Sequence, residues 1–270
     1  MVHRAAAPVL RPYVSWYHGY REVGGVPGLH RGLPSPVLTL IFTFTEPLTV
    51  AEHSDGSAGR KYEALAAGLH TTPTLIAHEG TQCGVQIGVR PLGAAALFGM
   101  PAGELAGLCV DAADVLPGAV EVQERMAAAV TWEERFLAVD EGLAGALRPA
   151  RDAPGIAPEV AWAWRLLARS GGKVPVAELA RRTGWSERYL RTRFTEATGL
   201  TPKAAARVFR FTRARRLVEA RTTDLAGIAA ACGYFDQAHL AREFNAVTGL
   251  PPTRWLAEEL PNIEAKPPSG

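Results

Sequence analysis

Two short runs carry residue types that can read base edges, set at helical spacing. Ser186–Pro202 reads Ser-Glu-Arg-Tyr-Leu-Arg-Thr-Arg-Phe-Thr-Glu-Ala-Thr-Gly-Leu-Thr-Pro, and Asp236–Pro252 reads Asp-Gln-Ala-His-Leu-Ala-Arg-Glu-Phe-Asn-Ala-Val-Thr-Gly-Leu-Pro-Pro. If Leu190 and Phe194 face a core, Arg188, Arg191, Thr192 and Thr195 point away from it. With Leu240 and Phe244 inward, so do Gln237, Ala238, Ala241, Arg242 and Asn245. Arginine can bond O6 and N7 of guanine together, glutamine and asparagine suit N6 and N7 of adenine, and a threonine methyl can touch thymine. Arg193, Arg207 and Arg213 are candidates for phosphate, where contacts position a protein without specifying sequence. The competing reading is a solvated arginine-rich face that touches phosphate or water alone.

The elements that would hold these residues repeat. Leu190 lies over Leu240, Phe194 over Phe244, Thr198-Gly-Leu200 over Thr248-Gly-Leu250 and Pro202 over Pro252, a spacing of 50 residues. Upstream, Ala180-x-x-x-Gly184 matches Ala229-x-x-x-Gly233 one residue out of register, because the second turn is longer. Each copy predicts helix, tight turn, helix. Val176 to Thr183 carries Val176, Leu179 and Ala180 on one face, Gly184 turns the chain, and Ser186 caps a helix that Gly199 ends. In the second copy Leu225, Ile228 and Ala229 precede Gly233, and Asp236 caps a helix burying Leu240, Phe244 and Val247. Between the copies Thr201 caps, and Pro202 opens, a helix running to about Ala220. Such a rod spans about 28 Å at 1.5 Å per residue, close to the roughly 34 Å of one DNA turn.

This stretch resembles the two-repeat DNA-binding domain of AraC/XylS-type transcription regulators. The resembling residues are Leu179-Ala-Arg-Arg-Thr-Gly184, Tyr189-Leu190, Phe194, Thr198 to Pro202, Arg210 to Leu217, and Ile228-Ala-x-x-Cys-Gly-Tyr-x-Asp-Gln-Ala-His-Leu-x-Arg-Glu-Phe244. The resemblance implies sequence-specific binding of double-stranded promoter DNA, with no cofactor. One position departs: the family often has arginine where this chain has Thr192, while the second copy keeps Arg242.

Charge follows the same division. Lys173 to Leu256 holds 15 Lys/Arg against 7 Asp/Glu, and the rest of the chain 14 against 20, within a net charge of +2. A basic C-terminal module on an acidic partner suits a polyanion bound at one end. The 270 residues are enough for two cores. The expected fold class is α+β in two domains: an N-terminal antiparallel β sandwich or barrel with trailing helices, then an all-α double helix-turn-helix (homeodomain-like) domain. The expected boundaries are 1–150 for a sensing or dimerising domain, 151–158 for a Pro/Gly-rich linker, 159–260 for the DNA-binding domain and 261–270 for a tail. Cys83, Cys109 and Cys232 are scattered and odd in number, and no apolar run approaches the roughly 20 residues of a bilayer span, so a soluble cytoplasmic protein is expected.

The N-terminal half reads as strands. Leu38 to Thr45 alternates Leu38, Leu40, Phe42 and Phe44 with Thr39, Ile41, Thr43 and Thr45, and Gly84 to Arg90 does likewise. Leu48 to Ala51 and Leu75 to Ala77 are weaker strands. From Pro91 to Arg148 the pattern is helical, and Thr131-Trp-Glu-Glu134 predicts a capping box. Leu10-Arg-Pro-Tyr-Val14, Ala67-Gly-Leu-His70, Gly84-Val-Gln-Ile87 and Arg90-Pro-Leu-Gly93 resemble a sensor region of actinobacterial-type members of the same family, which implies an effector-sensing or dimerising role.

Trp16, Tyr20 and His70 are the candidate effector-pocket residues, although the aromatic cluster Tyr13, Trp16, Tyr17 and Tyr20 equally suits a strand packed on a core. His70, His78 and Cys83 fall close in sequence but in no ordered ligand motif, so no metal is assigned. No nucleophile motif or phosphate loop occurs, and no catalytic residue is assigned. The expected function is a promoter-binding transcription regulator responding to an unidentified small molecule. RNA polymerase and a second copy of the chain are further partners it admits, and a membrane is not. The alternative is a β-barrel ligand- or metal-dependent enzyme fused to a DNA-binding module.

Overall fold

The alternation at Leu38 becomes strand β4 (Leu38–Thr43) inside a six-stranded antiparallel sheet of order β1–β2–β9–β4–β7–β10. The computed structural model describes residues 1–149, 153–221 and 223–264. The other strands of this sheet are β1 (Val2–Arg4), β2 (Val14–Glu22), β7 (Ala64–Ala67), β9 (Gln82–Val89) and β10 (Cys109–Asp111). A second, four-stranded sheet runs β3 (Gly28–Gly32), β8 (Thr74–His78), β5 (Leu48–Glu52), β6 (Ala58–Tyr62).

Register sorts the side chains. Tyr17 pairs with Ile87, Ile87 with Leu40 and Leu40 with Ala66, so these four form a row on one face. Ile41 and Leu65, also paired, face the other way and join Leu48, Val50, Tyr62 and Ile76 between the sheets. The larger sheet is therefore covered on both faces, which explains why Ile41 interrupts an otherwise polar alternate set.

Its outer face is covered by α1 (Ala94–Phe98), α2 (Ala119–Ala128) and α3 (Trp132–Ala146). The expected capping box starts α3: Thr131 Oγ1 accepts from the Glu134 N–H at 3.2 Å, and Glu134 Oε2 accepts from the Thr131 N–H at 2.9 Å. The Trp132 ring fills the space above Gly19, where a Cβ would come within 2.6 Å of it. Further along α3, the buried Asp140 carboxylate accepts from the Tyr17 hydroxyl and the Ala7 N–H, both at 2.9 Å, and pairs with Arg4 at 3.2 Å. This network ties the first strands to α3.

Among the described residues seven helices follow: α4 (Pro158–Ser170), α5 (Val176–Thr183), α6 (Glu187–Thr198), α7 (Pro202–Glu219), α8 (Leu225–Cys232), α9 (Gln237–Thr248) and α10 (Pro252–Glu264). Two boundaries differ from the sequence expectation. Pro158 is the first residue of α4, where its missing N–H costs nothing, and does not close the linker. Trp255 is buried against Phe244, with ring centroids 5.3 Å apart, and the helix it anchors continues to Glu264, past the expected tail boundary at 261. Residues 150–152 of the connection and 265–270 of the tail lie outside the described residues.

Core membership divides the helical domain unequally. Leu179, Leu190 and Phe194 of the first motif belong to one continuous apolar cluster with α4, α3 and the outer face of the large sheet. Ile228, Leu240 and Phe244 of the second motif form a separate cluster. α7 serves both, giving Phe209 to the first and Phe211 to the second.

Candidate nucleic-acid interface

The helices α6 and α9 are set by the same local chemistry. Gly184 and Gly233 adopt φ of 72° and 78°, which lets the next residue, Trp185 or Tyr234, donate its N–H back to Ala180 O (3.1 Å) or Ala229 O (2.9 Å). Caps follow: Ser186 Oγ accepts from the Tyr189 N–H at 3.2 Å, and Asp236 Oδ1 from the His239 N–H at 2.6 Å.

The shared Thr-Gly-Leu ends both helices. The fully buried hydroxyl of Thr198 donates to Phe194 O at 2.8 Å and accepts from the Leu200 N–H at 3.4 Å. Thr248 repeats this with Phe244 O at 2.9 Å and Leu250 N–H at 3.1 Å. A buried polar group is thus satisfied while it closes a helix end that would otherwise carry orphan groups.

With Leu190, Phe194, Leu240 and Phe244 fully buried, the outer faces are those expected. Arg188, Arg191 and Thr192 are exposed on α6 and Thr195 half-buried; Gln237, Ala238, Arg242 and Asn245 are exposed on α9. Thr192 and Thr195 donate their hydroxyls to the carbonyls of Arg188 (3.2 Å) and Arg191 (2.8 Å), one turn earlier. Among the described residues, the guanidinium groups of Arg188, Arg191 and Arg242 are held in no ion pair.

The three phosphate candidates differ. Arg193 pairs with Glu196 at 2.7 Å on α6, Arg207 reaches from α7 to Glu243 of α9 at 3.0 Å, and Arg213 is exposed near Gly171.

The structure adds a neighbour that sequence spacing did not reveal. The C-terminal half of α6 lies against the 3-10 turn Ala102–Leu105 of the N-terminal domain. A Cβ on Gly103 would stand 2.1 Å from the Glu196 carbonyl oxygen, and one on Gly199 would stand 3.0 Å from Ala106 Cβ. Beside this contact, Gly103, Arg188, Arg191, Thr192, Thr195 and Glu196 line an open cleft of ≈ 550 Å³. The second motif meets the N-terminal domain through Arg31, near Gly249, and through Leu33, packed on its core.

The effector candidates are only partly brought together. Trp16 and Tyr20 share one face of β2, Trp16 stacked on His18 at 4.1 Å and Tyr20 lying over Gly84. Burial first, then Cys83 and Glu22, push the Tyr20 phenol well above its ordinary range. His70 lies apart, in the connection after β7, with Nδ1 2.5 Å from Thr72 O and its pKa lowered by burial. His30 and His78 form a pair that the sequence reading missed, with rings 5.8 Å apart. Burial, with His78 adding to it, lowers His30 to about 4. Burial also pushes the Cys109 thiol up to about 11 and the Cys232 thiol upward, the reverse of an activated nucleophile.

Comparison with known proteins matches two stretches of the chain to different families. Residues 179–258 match the family described as a helix-turn-helix domain, and residues 3–111 match a domain of unknown function, DUF6597. No curated protein matches the sequence. ToxT from Vibrio cholerae is 10% identical at a TM-score of 0.53, over 89% of this chain and 98% of that one. Wild-type ToxT bound to an unsaturated fatty acid is 9% identical at 0.53, over 94% and 96%. The DNA-binding domain of AdpA, in complex with a target DNA, is 29% identical over 43% of this chain and 97% of that one, with a TM-score of 0.34. The ToxT likeness shows a shared two-domain fold. Among the described residues no helix is long and apolar enough to cross a membrane. The doubled motif, its outward arginines and the family match make residues 179–258 a helix-turn-helix domain of the AraC/XylS type, the DNA-binding module of a transcription regulator.

Proposed function

We propose that the N-terminal domain binds a small molecule and thereby sets how freely α6 reaches DNA. In this reading Arg188, Arg191, Arg242, Gln237 and Asn245 contact base edges, while Arg193, Arg207 and Arg213 contact phosphate. Thr192, Thr195 and Ala238 fill the same faces with small groups. RNA polymerase is the further partner through which promoter binding acts on transcription.

One observation carries the regulatory half: the Gly103 turn abuts the Thr195 and Glu196 carbonyls of the helix that would enter the groove. A ligand with different affinities for the docked and released arrangements would shift DNA affinity by that difference. The unsaturated fatty acid in ToxT makes fatty acids the first effectors to try, with Trp16 and Tyr20 as the residues to probe.

Gly103→Val tests this, because its side chain has no room while α6 is docked. The full-length variant should bind a selected duplex about tenfold more tightly than wild type, the effect of about 1.4 kcal/mol of coupling, and should no longer respond to effector. Unchanged affinity and an unchanged response would remove this route of control.

A further inference from the structure

The two motifs differ by one residue, and the structure locates it. In the first, Trp185 closes the turn and the cap Ser186 follows at once. In the second, Tyr234 makes the equivalent backbone bond to Ala229, but Phe235 stands between it and the cap Asp236. Phe235 is therefore the insertion that puts the upstream halves of the repeat out of register.

An apolar residue just before an N-cap ordinarily packs on the fourth residue of the helix. Here that residue is Leu240, which is 0% exposed, whereas Phe235 is 93% exposed. The staple is not made. Tyr234 supplies the apolar anchor, buried edge-on to His239, and the Phe235 N–H donates to His239 Nδ1 at 3.2 Å. The backbone of the insertion is fixed while its ring is free of the fold.

A lone exposed hydrophobic residue is ordinary on a protein surface, but this one has a position. It leads the helix that presents Gln237, Ala238 and Arg242, and reading helices bring their N-terminal residues to base edges in the major groove. A phenyl ring has no hydrogen bond to offer a phosphate, and in that groove its chemical match is the 5-methyl group of thymine. We propose that Phe235 is a specificity-determining residue of the half-site read by α9, packing on a thymine methyl next to the bases read by Gln237 and Arg242. The proposal rests on α9 being a base-reading helix.

The test uses full-length protein and a duplex it selects from a random library, with each thymine replaced singly by deoxyuridine. Pairing is unchanged and only the methyl is lost. For the wild type, one replacement in one half-site should weaken binding about fourfold, the worth of one buried methyl. Phe235→Ala should bind the unmodified duplex about tenfold more weakly and ignore that replacement, and Phe235→Leu should keep part of the sensitivity. An unchanged thermal midpoint in both variants would exclude misfolding.

Wild-type affinity and an unchanged deoxyuridine profile for Phe235→Ala would overturn the proposal. So would lost transcriptional output with DNA binding intact, which would place the ring against RNA polymerase. Arg242→Ala keeps the two claims apart. If it alters base preference while Phe235→Ala does not, α9 reads bases and Phe235 takes no part.

Discussion

The two helix-turn-helix motifs are near-copies in sequence, yet they sit in different mechanical settings. The first shares one apolar cluster with the sandwich, and its second helix, α6, lies against the Gly103 turn. The second has a cluster of its own, which the N-terminal domain touches through Arg31 and Leu33. Repetition fixes the unit, but its neighbours decide what the unit can do. The first motif is joined to the sandwich through packed side chains, whereas the second has an apolar interior of its own.

The largest effects should come from the equivalent phenylalanines. Phe194→Ala and Phe244→Ala each remove a fully buried ring and should each cost ~3–5 kcal/mol. Hydrogen exchange should separate them. Phe244→Ala should deprotect α8 and α9 while sparing the sandwich, and Phe194→Ala should loosen amides of α3 and the Gly103 turn as well. Identical exchange maps would mean that the two clusters act as one.

A smaller effect concerns base choice. Arg242→Ala should cost about 1–3 kcal/mol against its preferred base pair in one half-site. On α6 the equivalent position is Thr192, with its hydroxyl turned back to Arg188 O, so that half-site should tolerate more sequences. Thr192→Arg should sharpen the tolerant half alone. Equal information in the two halves, unmoved by the substitution, would erase the difference.

The smallest effect is electrostatic. Glu196 and Glu243 hold Arg193 and Arg207 in exposed or half-exposed pairs, worth at most about 1 kcal/mol each. Glu243→Gln should release Arg207 toward phosphate and steepen the salt dependence of binding by about one released counterion. Glu196→Gln should do less, because α6 is already covered on its C-terminal half. A steeper salt slope for Glu196→Gln than for Glu243→Gln would reverse that ranking.

The helical domain was legible because its instructions are local. Gly184 and Gly233 need positive φ, Ser186 and Asp236 are caps, and the Leu/Phe spacing faces one side; each can be read within a few residues. The capping box at Thr131 was legible for the same reason. Strands β3, β6 and β10 carried weak signals because their partners lie far along the chain: β6, which holds Gly59, Arg60 and Lys61, is a strand because β5 pairs with it. Trp16 and Tyr20 could be placed on one strand face only through the pairing of β2 with β9. The Gly103 contact was illegible in principle, since a glycine in a turn does not reveal which carbonyl lies above it. Phe235 left a trace, the one-residue register slip, but its exposure required coordinates.

α7 contributes Phe209 to one core and Phe211 to the other, so it cannot bend or unwind between the motifs without opening a packed interior. It acts as a ruler as well as a connector. A promoter recognised by both motifs at once is held to one phase and one spacing, and the length of its spacer becomes as much a part of the message as its bases.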